Sequence, residues 1–135
     1  MAITWQVQPT SVVIEPYRKI FVATTGNDTT GDGSELAPYA TPQKAEDEAT
    51  PGTIIEYAAG TYGSPNAPDL AGSYLLHCFN KHGTESEPII HRAAAGAQVI
   101  WDGLYDKSLG SDSTYSGYVN VIFLQQATYH RFEGI

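Results

Sequence analysis

The sequence predicts a mainly β chain whose strands stack in parallel coils, with one short helix near the start. Short β-rich segments recur, and several are nearly continuous apolar runs, such as Ile54-Ile55 and Val121 to Leu124, which suit buried strands of a parallel sheet. Parallel strands usually need helical crossovers, yet the connections here carry Gly, Pro, Asn and Ser and have the composition of loops. A β-solenoid reconciles these observations, because its successive turns place parallel strands directly above one another.

Strand propensity and flanking turn residues locate the individual strands. They are predicted at Lys19 to Thr24, Thr53 to Ala58, Ser73 to Phe79, Pro88 to Arg92, Gln98 to Trp101, Val119 to Leu124 and Tyr129 to Glu133. The loosely alternating start, punctuated by Pro9 and Pro16, predicts an edge strand or a docking arm. We therefore divide the chain into an N-terminal arm, residues 1–18, and a capping helix with the first coils, residues 19–135.

The helix is predicted from about Pro42 to Ala49. Thr41 can cap it, Pro42 suits its first position, and Pro51-Gly52 ends it. Its acidic run is interpreted as solvated surface, because adjacent carboxylates on a helix do not face one another; the run consists of Glu46, Asp47 and Glu48. No general acid and base pair is expected there.

Composition limits the partners. The chain has 135 residues, enough for one domain, and 15 acidic against 7 basic residues give a formal charge of −8, which repels nucleic acid and anionic membrane surfaces. The single Cys78 cannot form an internal disulfide. The first residues lack the pattern of a secretory signal, and no apolar run reaches the length of a membrane span.

The segment GNDTTGDGS, residues 26 to 34, has the look of a calcium loop. Asp28, Thr30 and Asp32 occupy loop positions 1, 3 and 5, and Gly33 stands where an EF-hand turns. The closing Glu is replaced by Tyr39, however, and the preceding segment is β-rich rather than helical. We interpret the segment as a turn built from glycines and Asx side chains.

The order FVATTGNDTTGDGSELAPYATPQKAEDEATPGTIIEYAAGTY resembles the entry segment of right-handed parallel β-helix proteins of the pectate-lyase-like group. GTESEPIIHRAAAGAQVIWDG resembles their following coil, and YHRFEGI the first strand of another; the loop from Leu104 to Gly117 is not matched. The resemblance implies a strand, a Gly- and Asp-rich turn and a short helix that covers the open end of the coil. It also implies an N-terminal piece of a longer chain, because a repeat fold needs about three units and a cap at each end.

In the proteins that this sequence resembles, the catalytic residues are acidic residues, Lys or Arg. They lie in a groove along the middle coils, sometimes together with calcium. We assign no catalytic, cofactor or metal residue here, and calcium is a possibility only for the longer protein. A glycosidase needs two carboxylates at a defined separation, and the sequence does not give the separations between Asp69, Asp102 and Glu133. Asp102 is interpreted as a turn residue.

Four residues invite a zinc interpretation, namely His77, Cys78, His82 and His91. His77 and Cys78 are adjacent and point to opposite faces of a strand, so they cannot readily share an ion. We interpret the histidines as packing or solvent-facing residues.

Two functions fit the resemblance. The preferred one is the N-terminal part of a phage tailspike or tail fibre, a virion adhesin that recognises host polysaccharide, docks on other virion proteins through its arm and forms a homo-oligomer such as a trimer. The alternative is a secreted bacterial polysaccharide lyase or uronate epimerase. An independent carbohydrate-binding module is disfavoured by the absence of a distal cap. Neither nucleic acid nor membrane is an expected partner.

Overall fold

The computed structural model describes residues 17–63, 74–102 and 120–135. These residues form eight strands and one helix. In chain order the elements are β1 (Arg18–Val22), α1 (Pro42–Glu48), β2 (Thr53–Tyr57), β3 (Gly60–Gly63), β4 (Tyr74–Phe79), β5 (Ile89–Ala93), β6 (Val99–Asp102), β7 (Asn120–Gln125) and β8 (His130–Glu133).

The strands form three parallel sheets, with the orders β1-β2-β5-β8, β3-β6 and β4-β7. One coil runs through β2, β3 and β4, the next through β5, β6 and β7, and β8 begins a third above β5. Each coil thus adds one strand to each sheet, which is the arrangement of a parallel β-helix. The predicted fold class is confirmed.

The predicted elements match the observed ones within one or two residues, with one omission. The strand β3, Gly60–Gly63, pairs with β6 but was not predicted as a strand. Its sequence GTYG carries glycine at both ends, and glycine is depleted in strands. Pairing with the coil above it, rather than local propensity, makes this segment extended.

The first sheet has an inner and an outer face because side chains alternate along each strand. The register stacks Ile20, Ile55, His91 and Phe132 in one inward ladder. Ile20 and Ile55 are fully buried, and each contributes roughly 1.5–3 kcal/mol by leaving water. His91 is equally buried in that apolar ladder, so its polar atoms need partners inside the protein.

The helix begins as predicted. Thr41 is the N-cap, and its hydroxyl oxygen accepts a hydrogen bond from the Lys44 amide at 3.2 Å. The carboxylate of Asp28 fixes the backbone just before the helix. It accepts hydrogen bonds from the amide of Ala40 at 2.7 Å and from that of Thr41 at 3.0 Å. The helix packs against β1 and β4, the outermost strands of their sheets, which is the place of the predicted cap.

The interpretation of the acidic run as solvated surface is wrong for Glu46. Its side chain is fully buried, whereas Asp47 is exposed. The helix turns one face inward, and the buried positions are Pro42, Ala45, Glu46 and Ala49, the i, i+3, i+4, i+7 spacing of one helical face.

The segment GNDTTGDGS is a turn, as predicted. Asn27 Oδ1 accepts from the amides of Thr29 and Thr30, at 2.8 and 2.9 Å. Asp32 Oδ1 accepts from the amide of Ser34 at 2.9 Å. These are Asx turns, in which the side chains of Asn27 and Asp32 accept from the backbone of the loop itself.

Gly26 in this turn lies against the backbone of Tyr39, and a Cβ there would meet the Tyr39 carbonyl at under 3.0 Å. We expect Gly26→Ala to lower the free energy of unfolding by about 1–3 kcal/mol, because backbone must move to admit the methyl group. Thr29→Ala, an exposed change in the same turn, is the control and should stay within about 0.5 kcal/mol of the wild type. Urea unfolding of the three proteins measures the difference, and equal values for both variants would contradict the close approach.

The predicted arm, residues 1–18, lies outside the described residues except for its last two, so its docking role stays a prediction. In the described ranges, no helix has the length and apolar character needed to cross a membrane.

Candidate functional site

Four polar side chains meet in the interior of the coil. Glu46 comes from α1, Cys78 from β4, His91 from β5 and His130 from β8. One oxygen, sulfur or nitrogen atom from each lies within 4.8 Å of the others. We call these four residues the interior cluster.

Glu46 is the centre of the cluster. Its Oε2 lies 3.1 Å from His91 Nε2, and its Oε1 lies 3.0 Å from His130 Nε2. The side chains of Glu46 and His91 are fully buried, and that of His130 is 2% exposed. Each carboxylate oxygen of Glu46 therefore has an imidazole nitrogen within hydrogen-bond distance.

The geometry fixes the protonation of His91. An ionised carboxylate only accepts, so Nε2 of His91 carries the proton that is donated to Glu46. Its Nδ1 lies 2.8 Å from the Tyr57 hydroxyl, which donates to it while the imidazole is neutral. The ring stacks on Phe132, with centroids 4.9 Å apart and planes 17° apart, so its orientation is also held by packing.

His130 has acceptors on both sides. Its Nε2 faces Glu46, and its Nδ1 lies 3.2 Å from the backbone carbonyl of Thr128. Both ring nitrogens of His130 therefore lie within hydrogen-bond distance of an oxygen that can accept from them.

Opposing effects set the pKa values of the pair Glu46 and His91. Burial alone would raise the pKa of Glu46, but the hydrogen bonds from His130 and His91, together with the positive charge that these imidazoles carry when protonated, prevail and lower it to about 2. Burial lowers the pKa of His91 from its ordinary 6.5, against the opposing hydrogen bond and charge of Glu46. At neutral pH the carboxylate is ionised and His91 is neutral.

The thiol of Cys78 is the fourth member of the cluster. Burial raises the pKa of Cys78, and the negative charge of Glu46 raises it further. A buried, protonated thiol is a poor nucleophile. Cys78 is therefore unsuited to covalent catalysis on a polymer.

The interior cluster is closed to large substrates, because its side chains have almost no exposed surface. It can hold a network of shared protons or a small cation. A sugar chain cannot reach it, so acid–base chemistry on a polysaccharide does not follow from these residues.

The four residues that the sequence suggested as zinc ligands do not all lie together in the structure. Cys78 and His91 lie in the interior cluster, whereas His82 is exposed and contacts Thr128 and Asn80. His77 Nε2 lies 3.1 Å from Gln125 Oε1. Adjacent residues do point to opposite faces of β4, as expected, and this separates His77 from Cys78.

Sequence reasoning missed Glu46 and His130. Glu46 could have been found from helical spacing, since it shares the face of Ala45 and Ala49. The segment HRF at 130–132 alternates as HRA does at 91–93, which places His130 on the inner face of its strand. Their meeting with Cys78, however, depends on how the coils are stacked.

Three acidic residues were left unassigned. Asp102 ends strand β6 rather than lying in a turn. Glu133 is exposed on β8, with its carboxylate 3.6 Å from Arg131. Asp69 lies outside the described residues.

The fold is shared with solved pectate-lyase-like structures. The crystal structure of pectate lyase Pel9A matches with a TM-score of 0.64 and 27% identity, over 87% of this chain and 27% of that one. A rhamnogalacturonan lyase matches with a TM-score of 0.64 and 19% identity, over 87% of this chain and 28% of that one, and this likeness shows the fold alone. No family model and no curated protein matches the sequence.

This chain thus forms the capping helix and first coils of a pectate-lyase-like parallel β-helix. It spans little more than a quarter of the length of the two lyases that it resembles.

Proposed function

We propose that this chain is the N-terminal part of a β-helix protein that acts on polysaccharide, and that the whole protein is a polysaccharide lyase. The observation that carries the proposal is the likeness to pectate lyase Pel9A, at 27% identity over 87% of the chain. The chain's own share of the work is to cover the end strands with α1 and to begin the stack on which later coils are built.

The charges of the described residues support this scaffolding role. A lyase acting on an acidic sugar chain needs free cationic groups or a metal ion to hold the substrate carboxylates. Every Lys and Arg within residues 17–63, 74–102 and 120–135 already faces an oxygen acceptor of the protein; the pairs are Arg18 with Glu48, Lys19 with Glu56, Lys44 with Glu48, Lys81 with Asp47 and Ala49, Arg92 with Glu56, and Arg131 with Glu133. Binding of an acidic polymer here would require those contacts to be given up.

The virion adhesin, which was preferred from the sequence alone, would also bind polysaccharide. It differs from the lyase in its docking partner, its oligomeric state and its location. Its docking arm, homo-oligomeric state and virion location remain predictions. The preference for the adhesin rested on residues 1–18, which lie outside the described residues except for the last two. The likeness to a pectate lyase covers 87% of the chain, and we therefore prefer the lyase.

The natural reading frame beyond the codon for Ile135 is the first test. We expect it to continue through further Gly- and Asn-punctuated strands. The longer protein, supplied with calcium, should release unsaturated oligosaccharides from polygalacturonate or rhamnogalacturonan, seen as rising ultraviolet absorbance. The 135-residue chain should release none.

The outcomes separate the candidates. Tight retention of a bacterial surface polysaccharide without cleavage would replace the lyase by the adhesin. A reading frame that stops at Ile135, or a longer protein that neither cleaves nor binds these polymers, would overturn the proposal.

A further inference from the structure

We propose that the interior cluster is a structural zinc site, in which Glu46, Cys78, His91 and His130 hold one Zn²⁺. The proposal does not depend on the polysaccharide function. It rests on the donor set, the distances between donor atoms and the contacts behind the histidines.

The donor set is one that zinc prefers. Thiolate sulfur, imidazole nitrogen and carboxylate oxygen are the usual zinc ligands, and four of them fill a tetrahedral shell. Calcium and magnesium take oxygen ligands, and the cluster supplies them from Glu46 alone. The two imidazoles and the thiol therefore select a borderline-soft ion.

The distances suit a tetrahedral site after small adjustments. With Zn–N near 2.0–2.1 Å and Zn–S near 2.3 Å, neighbouring ligand atoms are roughly 3.2–3.8 Å apart. The Glu46 oxygens lie 3.0 and 3.1 Å from the two Nε2 atoms, and all four donors lie within 4.8 Å. Side-chain shifts of about 1 Å would bring the widest pair into range.

Each histidine has the contact that a zinc-bound histidine needs behind it. Zinc-bound imidazoles usually donate their second N–H to an oxygen, which fixes the ring and its basicity. His91 Nδ1 lies 2.8 Å from the Tyr57 hydroxyl, and His130 Nδ1 lies 3.2 Å from the Thr128 carbonyl. Both Nε2 atoms are left to face the centre of the cluster.

Binding is balanced in charge and protons. Without metal, Cys78 is a thiol and His91 carries its proton on Nε2. On binding, the thiol proton passes to solvent, and the His91 proton moves from Nε2 to Nδ1, where it faces Tyr57. The charges of the carboxylate and the thiolate then cancel that of Zn²⁺, which a buried site requires.

The proposed site joins the helix to the coils. Its ligands come from α1, β4, β5 and β8, and four protein ligands leave no open position for a substrate. Zinc would therefore stabilise the fold, fastening the capping helix to strands of two sheets, rather than catalyse a reaction.

Cobalt substitution gives the most direct test. The 135-residue chain would be freed of metal with a chelator and titrated with Zn²⁺, and separately with Co²⁺ as a spectroscopic probe. We expect one Zn²⁺ per chain, a raised thermal midpoint and, with Co²⁺, the visible bands of a tetrahedral ion together with a thiolate charge-transfer band. Cys78 is the single cysteine of the chain, so the charge-transfer band can come from no other residue.

Variants assign the ligands. Cys78→Ser should abolish the charge-transfer band and weaken zinc binding by more than the roughly 10–100-fold that loss of an outer contact costs. Tyr57→Phe removes only such an outer contact and should fall within that range. His82→Gln, at an exposed histidine, is the matched control and should bind as the wild type does.

The proposal is overturned if the metal-free wild type takes up no stoichiometric Zn²⁺, or if its cobalt form shows no thiolate band. It also fails if zinc affinity is unchanged in Cys78→Ser. If Cys78→Ser does not fold, the cobalt spectrum of the wild type and the zinc affinity of His130→Gln, a change on the last described strand, take its place. Unchanged zinc affinity in His130→Gln would overturn the proposal in the same way.

Discussion

Replacing Glu46 with alanine is expected to lower the free energy of unfolding of the metal-free chain by about 2–6 kcal/mol, because two buried imidazole N–H groups lose their acceptor at a cost of roughly 1–3 kcal/mol each. The Glu46 side chain is fully buried between two imidazoles. Its loss leaves the Nε2 protons of His91 and His130 without their acceptor in a site that water does not reach. A small cavity adds to the cost.

Urea unfolding in the presence of a chelator measures the effect. Asp47→Ala is the matched control, since it removes a carboxylate from the next position of the same helix at an exposed site, and it should cost less than about 1 kcal/mol. Glu46→Gln should fall between the two, because the amide keeps one acceptor oxygen. Equal stabilities of Glu46→Ala and Asp47→Ala would contradict the buried position of Glu46.

Acidification is expected to destabilise the metal-free chain in two overlapping ranges. Both Glu46 and His91 have a lower pKa in the folded chain than their ordinary values of 4.5 and 6.5. A group with a lowered pKa binds its proton more readily when unfolded, so its stabilisation is present above the ordinary value and is lost as the pH falls. His91 acts first, below pH 6.5, because burial opposes its charging.

Glu46 acts at lower pH than His91 does. Its stabilisation is lost between its ordinary pKa of 4.5 and its folded value of about 2, a difference equivalent to about 3 kcal/mol. Cys78 and Tyr57 also face the cluster, but burial raises the pKa of both groups, so they stay protonated throughout this range.

Urea midpoints of the wild type and Glu46→Gln, from pH 7 down to pH 2.5, test the assignment. The stability gap between the two proteins should narrow as the pH falls through the range in which Glu46 titrates, since the amide that replaces the carboxylate in the variant does not titrate there. A gap that stays constant over that range would show that Glu46 is not the responsible group.

Local sequence was sufficient for the elements that depend on local interactions. The helix begins at Pro42 after a Thr41 cap, because capping and the fixed φ of proline act over a few residues. The turn at residues 26 to 34 forms Asx contacts within two or three positions. The strands were located by β propensity between turn residues, and the short β3 was missed because glycine at both of its ends lowers that propensity.

Much of the cluster depended on contacts that no local pattern contains. Glu46 meets His91 and His130 across sequence separations of 45 and 84 residues, distances that only the stacking of coils closes. The run of acidic residues suggested a solvated face. The helical spacing places Glu46 on the face of Ala45 and Ala49, but this face is buried only because the helix packs against the coils.

From the sequence alone, propensity, capping and turn chemistry predicted a mainly β chain with a Thr-capped helix, because these effects act over short distances. The nearly continuous apolar runs between loop-like connections predicted parallel stacking of the strands. Which polar side chains are buried together depends instead on the stacking of the coils. A coil brings residues from distant parts of the chain to the same height, and exclusion of water then forces their polar groups to satisfy one another.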